Sequence, residues 1–146
     1  MLSSVIKHIS IRHRSLTAGW MALLFCVLLG GCQKSPINGN LDGQWQVMEV
    51  TPEPPEEILY DTRLYITFYL HSCMLTYYGG ILTNGNFKYD GETIYMDFPY
   101  MKTERDALIL KQYGIDSNPV VFDVEKLDKN KMVLRNGNTT VSLRKF

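Results

Sequence analysis

The sequence has few of the residues from which catalytic and metal sites are built. Its 146 residues include three histidines and three cysteines, and only His71 and Cys73 lie beyond residue 32. A zinc site needs three or four ligands. Side chains two positions apart on a strand are about 6–7 Å apart, too far for a Cys–His nucleophile pair. The sequence therefore predicts no metal site, no cofactor and no catalytic centre, and we expect no enzyme activity.

An excess of positive charge is also missing. The chain has fifteen basic and fifteen acidic residues. Three basic residues, Lys7, Arg12 and Arg14, lie in the first 31 positions, where there is no acidic residue. Residues 32–146 therefore carry a formal charge of −3. Because they form no basic stripe, nucleic acid is excluded as an expected partner.

No apolar run is long enough for an ordinary membrane span. The run from Trp20 to Leu29 has about ten to twelve residues, against the roughly 20 that a spanning helix needs. It ends in Leu29-Gly30-Gly31-Cys32, which matches the lipobox of bacterial lipoproteins: a leucine, two small residues and the cysteine whose thiol is acylated. Residues 1–31 are therefore a predicted lipoprotein signal peptide. A permanent N-terminal anchor is the alternative interpretation.

The mature chain is expected to begin at a lipidated Cys32. Two or three acyl chains, palmitate among them, anchor a protein stably where one chain does not. Gln33 and Lys34 follow, and the absence of aspartate there is typical of lipoproteins released to the cell outer membrane. Residues 32–40 are polar and form a predicted flexible tether. We expect a lipid-anchored, periplasm-facing protein of the outer membrane.

Removal of the signal peptide leaves Cys73 without a disulfide partner. Cys26 departs with the signal and Cys32 is acylated, so the fold cannot contain an intramolecular disulfide. We expect Cys73 to be a buried, small apolar residue. A reactive thiol is the alternative.

Residues 41–146 are predicted to form one domain. Segments rich in β-branched and aromatic residues are separated by turn dipeptides such as Asn84-Gly85, Asp90-Gly91 and Asn136-Gly137. A capping box at Thr103–Asp106 predicts a helix over Glu104–Tyr113. Such strands favour an all-β fold, a small antiparallel barrel of about eight strands with one short helix, and a sandwich is the alternative. The predicted strands are Gln44–Val50, Leu64–His71, Cys73–Tyr78, Asn86–Tyr89, Glu92–Phe98, Val120–Lys126, Lys131–Arg135 and Thr139–Lys145.

Tyrosines cluster on consecutive predicted strands. In Leu64–Leu70 the apolar Ile66 and Phe68 alternate with Tyr65 and Tyr69, so the two sets lie on opposite faces of the strand. Tyr65, Tyr69 and Tyr95 are the candidate lining of a ligand cavity. The alternative is an ordinary amphipathic surface. Alternation does not decide which face looks inward.

Gly43-Gln44-Trp45, at the start of the first predicted strand, resembles the Gly-x-Trp signature of the lipocalin (calycin-type) barrel. The chain is similar to the lipocalin-like lipoproteins of Bacteroidetes, many of which have no known function. The resemblance implies that Trp45 plugs one end of the barrel, with Val47 pointing the same way. It also implies that Arg144 packs over Trp45. Unlike a lipocalin, this sequence has its predicted helix before the sixth strand.

Two functions fit this sequence. The resemblance implies a protein that binds a small hydrophobic ligand, which would enter through the end away from Trp45. The alternative is a non-enzymatic interaction module that docks onto or inhibits a larger envelope protein. A filled barrel interior would favour the second function.

Overall fold

The computed structural model of the protein describes residues 36–54, 63–77 and 80–146. The predicted signal peptide, Cys32 and the first part of the predicted tether lie outside these residues. Within the described part of the chain, no helix is both long and apolar enough to cross a membrane.

Eight antiparallel strands form a closed barrel, in which each strand pairs with the next in chain order and β8 pairs with β1. This confirms the predicted all-β barrel, as opposed to a sandwich. The strands are β1 Gly43–Thr51, β2 Leu64–Tyr69, β3 Ser72–Tyr77, β4 Gly80–Tyr89, β5 Thr93–Asp97, β6 Val120–Leu127, β7 Lys131–Asn136 and β8 Thr139–Lys145.

Alternating side chains fill the interior of the barrel. In β2 the buried residues are Leu64, Ile66 and Phe68, and the residues that alternate with them, including Tyr65 and Tyr69, face outward. Phe68 packs edge-on against Phe87 of β4, with ring centroids 5.1 Å apart. An eight-stranded barrel is just wide enough for its own side chains to fill. The largest fully buried side chains are Trp45, Tyr113, Phe68, Phe87, Phe98, Phe122, Leu41, Ile66, Leu75, Ile94, Met96 and Ile115.

One helix, α1 at Glu104–Lys111, lies in the connection between β5 and β6. Thr103 accepts a hydrogen bond from the Asp106 backbone N–H, and the Asp106 side chain accepts one from the Thr103 backbone N–H. This confirms the predicted capping box. These hydrogen bonds hold the pKa of Asp106 below its usual value, because they favour the charged carboxylate.

The predicted turn at Asn84-Gly85 is wrong, because both residues lie inside β4. A Cβ at Gly85 would be 2.5 Å from Asp97 O and 2.6 Å from Phe98 Cδ1. Glycine is therefore needed at this position, because Asp97, at the end of β5, and Phe98 after it pack directly against the backbone. Asp90-Gly91 and Asn136-Gly137 do mark turns, and Gly91 and Gly137 both have positive φ.

Candidate functional site: the barrel ends and an outer groove

Trp45 lies at one end of the barrel and is completely buried. Its indole Nε1 donates a 2.8 Å hydrogen bond to Leu41 O, at the end of a short 3-10 turn, Gly39–Leu41. Val47, two positions along β1, is buried on the same face, as alternation requires. Trp45 and the chain preceding β1 together cover this end, which we call the tryptophan end.

Lys145 packs over Trp45, and the prediction that Arg144 would do so is wrong. Lys145 lies opposite Trp45 in the β1–β8 pairing, and its Nζ is 4.7 Å from the centroid of the indole ring. The same Nζ donates to Asn40 O at 2.7 Å and to Asp42 O at 2.5 Å. Arg144 points outward, where it donates a 3.0 Å hydrogen bond to Gln46 Oε1.

Two further features reflect this position of Lys145. Burial lowers the pKa of the Lys145 ammonium, and the Asp42 carboxylate opposes that shift. Gly43 has φ +121°, and a Cβ there would be 3.0 Å from Lys145 Cε. The glycine of the Gly-x-Trp signature therefore both adopts a conformation unfavourable for other residues and leaves room for the lysine.

Helix α1 and the residues after it cover the opposite end, which we call the helix end. Tyr113 is fully buried, and its hydroxyl donates a 2.9 Å hydrogen bond to Thr76 O. Burial raises the pKa of Tyr113, so the phenol stays protonated. Gly114 has φ +75° and packs directly against Val141. Any ligand entering at this end would have to displace the helical connection.

Tyr65, Tyr69 and Tyr95, the candidate lining of a ligand cavity, do not face the interior of the barrel. All three alternate with buried residues and lie on the outer face of the barrel. Tyr65 packs edge-on against Phe146, with ring centroids 5.2 Å apart. Tyr69 is 67% exposed. Aliphatic and phenylalanine side chains lie inside the closed barrel because they carry no polar group that burial would leave unpaired.

An open groove of about 460 Å³ lies on the outer face of β2, β3 and β4. Tyr69, at the end of β2, and Tyr100, in the loop after β5, both line it. Tyr100 is 82% exposed. Periodicity could not have assigned Tyr100 to this groove, because it belongs to no strand; the only signal was an aromatic residue in a predicted loop.

A family model described as a lipocalin-like domain matches residues 26–146. This chain belongs to the lipocalin-like family. Its fold is also similar to a lipocalin-like protein from Bacteroides uniformis (TM-score 0.56, 21% identity, covering 74% of this chain and 100% of that one). An uncharacterized protein from Bacteroides eggerthii has a TM-score of 0.51 and 18% identity, covering 73% of this chain and 99% of that one. No curated protein matches the sequence.

In this lipocalin-like barrel, His71 and Cys73 are separated. Cys73 is 1% exposed in the core, whereas His71 is exposed in the turn between β2 and β3. Burial raises the pKa of the Cys73 thiol to about 12, assisted by the negative charge of Asp97. Cys73 is thus the buried apolar residue that was expected, since a thiol with this pKa is not a nucleophile at neutral pH.

A second cleft, of about 430 Å³, lies beside helix α1. Asn118 closes much of it with its own hydrogen bonds: its Oδ1 accepts from Phe98 N at 2.9 Å, and its Nδ2 donates to Phe98 O and Met101 O. Its polar groups are therefore used to hold the β5–α1 loop to the segment before β6. This cleft is better explained as part of the helical connection than as a binding site.

Proposed function

We propose that the protein is a lipid-anchored component of the bacterial cell envelope that binds a partner or ligand on the outside of its barrel and catalyses no reaction. The observation that carries this proposal is the filled interior. Trp45, Phe68, Phe122 and the other buried aromatic side chains are no more than 2% exposed. A ligand of drug-like size needs several hundred Å³, and the outer groove offers such a volume without repacking the core.

Anchoring is the first part of the proposal to test. The support is the sequence Leu29-Gly30-Gly31-Cys32, which would place a lipidated cysteine a few residues before the barrel. In cells, Cys32→Ala should leave the signal peptide uncleaved and abolish labelling with a palmitate analogue. Cys26→Ala is the matched control, because it changes a cysteine inside the apolar run and should be processed normally. Processed, lipid-labelled Cys32→Ala protein would contradict lipidation at this residue.

The location in the outer membrane rests on the residues after Cys32. Gln33 and Lys34 stand where an aspartate would favour retention on the inner membrane. Fractionation of the two membranes tests this: the protein should be recovered with the outer membrane, and replacing Gln33 by Asp should move it toward the inner one. Equal distribution of both forms would contradict the proposed location.

Binding of a small hydrophobic ligand inside the barrel is a second candidate function. Two observations favour it: the inner wall is almost wholly apolar, and the helix end is covered by a single connection between β5 and β6, in which the Tyr113 hydroxyl donates a hydrogen bond to Thr76 O. Movement of that connection would expose the core. The filled interior makes this candidate secondary.

Trp45 can distinguish the two candidates, because it is the only tryptophan in residues 32–146 and it is buried in the core. A ligand that enters the barrel should change its fluorescence saturably. Titration of the purified lipoprotein with palmitate and with retinol tests this. We expect no saturable change, and a stoichiometric change would make interior binding the leading function.

A further inference from the structure

We propose that the groove between Tyr69 and Tyr100 is a binding site for a neutral saccharide. The inference deepens the proposed function and rests on its claim that the barrel binds on its outer surface. Six residues carry the argument: Thr67, Tyr69, Ser72, Asn84, Asn86 and Tyr100.

The groove has the size and position of a ligand site. Its volume of about 460 Å³ lies within the range of roughly 300–1,000 Å³ typical of small-molecule sites. Residues of β3 and β4 that line it are held together by consecutive strand pairs, from Ser72 opposite Asn86 to Met74 opposite Asn84. Tyr69 and Tyr100 are 67% and 82% exposed, so both rings are free to contact a ligand.

Unused hydrogen-bonding groups are concentrated along this groove. The side chains of Ser72, Asn84 and Asn86 form no hydrogen bond with any residue in the described ranges, and the hydroxyls of Tyr69 and Tyr100 form none there either. Thr67 also lines the groove, and its Oγ1 is buried and lacks a partner within the same ranges. Rotation about χ1 of Thr67 to another staggered rotamer would change the direction in which this hydroxyl points. The two asparagine amides alone offer four donors and two acceptors.

The absence of charge narrows the ligand class. None of the described residues that line the groove is charged. A phosphate or carboxylate would have no cation to pair with, and a cationic ligand would have no carboxylate. An acyl chain would cover amides and hydroxyls without satisfying them, which is unfavourable. These groups therefore favour a neutral ligand with many hydroxyls.

Peptide binding by strand addition is disfavoured, because in the closed barrel each strand already pairs with a neighbouring strand on both sides over part of its length. A proline-rich peptide could still lie between aromatic rings, but it presents few hydrogen-bonding groups for two amides and two hydroxyls. A saccharide matches both features. Its hydroxyls donate and accept, and the apolar face of its ring can pack on a tyrosine, whose body is apolar and whose tip is polar.

The test is calorimetric titration of the purified lipoprotein, in a detergent without a sugar headgroup, with chitotriose and with maltotriose. Chitotriose represents N-acetylated glycans and maltotriose represents simple hexoses. We expect saturable binding of at least one of them. Tyr100→Ala and Tyr69→Ala should each weaken it by about tenfold or more, as for an aromatic residue central to an interface.

Tyr65→Ala is the matched control, because Tyr65 lies on the outer face of the same strand as Tyr69 but outside the groove. It should bind the saccharide as the unchanged protein does. Thermal unfolding of Tyr100→Ala should be unaltered, since the ring is exposed, so a loss of binding cannot be ascribed to misfolding. Bound saccharide should leave Trp45 fluorescence unchanged.

Three outcomes would overturn the proposal: neither saccharide binds, Tyr100→Ala binds as well as the unchanged protein, or a proline-rich peptide binds the groove in place of the saccharides. Failure of the broader proposed function, a lipid-anchored protein that binds on the outside of its barrel, would give different results. In that case palmitate or retinol changes Trp45 fluorescence, or Cys32→Ala remains lipid-labelled, whatever the saccharide titration shows.

Discussion

The two ends of the barrel are closed in different ways. At the tryptophan end, residues adjacent to β1 and β8 meet: Trp45 fills the end, Leu41 O accepts its N–H, and Lys145 covers the ring. At the helix end, a single inserted connection carries helix α1, Tyr113 and Gly114 across the opening. The first closure is built from the strands and the residues immediately before β1. The second can move without unpairing a strand, so any opening of the interior would occur there.

Polar contacts at the two ends also differ. The Lys145 ammonium reaches two backbone carbonyls that precede β1, which joins the start of the domain to its last strand. At the helix end the polar contacts lie within or beside the β5–β6 connection: the Tyr113 hydroxyl donates to Thr76 O, and the Thr139 hydroxyl donates to the Asp116 carboxylate. Substitutions at the two ends should therefore destabilise the fold through different mechanisms and by different amounts.

The largest effect is expected at Trp45. Trp45→Ala removes a fully buried indole and should lower the free energy of unfolding by about 3–5 kcal/mol, the usual cost of such a cavity. Urea unfolding followed by far-UV circular dichroism measures it without needing tryptophan fluorescence. Met48→Ala, at an exposed position of the same strand, should change the stability by less than about 0.5 kcal/mol. Similar values for the two variants would show that Trp45 does not close the end.

Gly114→Ala tests the helix end. An added Cβ would overlap Val141 Cγ2, and φ is +75°, so crowding and backbone strain together should cost about 2–4 kcal/mol. Gly137→Ala is the matched control, because φ is +55° but nothing lies within 4 Å of the added atom. It should cost only about 1 kcal/mol. Equal losses in urea unfolding would mean that close packing at the helix end contributes nothing.

The smallest loss of stability is expected at Lys145, and Arg144 is its control. Lys145→Met removes a cation from the indole face and two hydrogen bonds to carbonyls, and we expect a loss of about 1–2 kcal/mol. Arg144→Met removes an exposed hydrogen bond and should cost less than about 0.5 kcal/mol. Thermal unfolding of the two variants side by side makes the comparison. A larger loss for Arg144→Met would restore the interpretation that arginine, and not lysine, covers Trp45.

Local signals in the sequence were sufficient to predict much of the fold. Strand alternation, the Asp90-Gly91 and Asn136-Gly137 turns, and the capping box at Thr103 each depend on residues only a few positions apart. Such signals predicted the closed barrel, the helix and the burial of Cys73. Asn84-Gly85 misled because a turn dipeptide and a glycine required for close packing look identical in sequence, and the atoms that decide between them belong to Asp97 and Phe98.

Most of the candidate site could not be predicted from such local signals. Alternation places Tyr65 and Tyr69 on one face of the strand and Ile66 and Phe68 on the other, but it does not indicate which face is buried. Only closure of the barrel determines that. The groove joins Tyr69 to Tyr100, which lie on different elements. The same limitation applies to Arg144 and Lys145, although their alternation with Val141 and Leu143 would have favoured Lys145 once the inner face was known.

The sequence by itself determined the order and type of the elements and the burial of Trp45, because each follows from chemistry within a short stretch of chain; lipidation of Cys32 stays a prediction. The tertiary structure alone decided that phenylalanines and aliphatic residues fill the barrel, that Lys145 covers Trp45, and that two tyrosines border an outer groove. The physical reason is that these features depend on contacts between distant strands, and those contacts exist only once the barrel has closed.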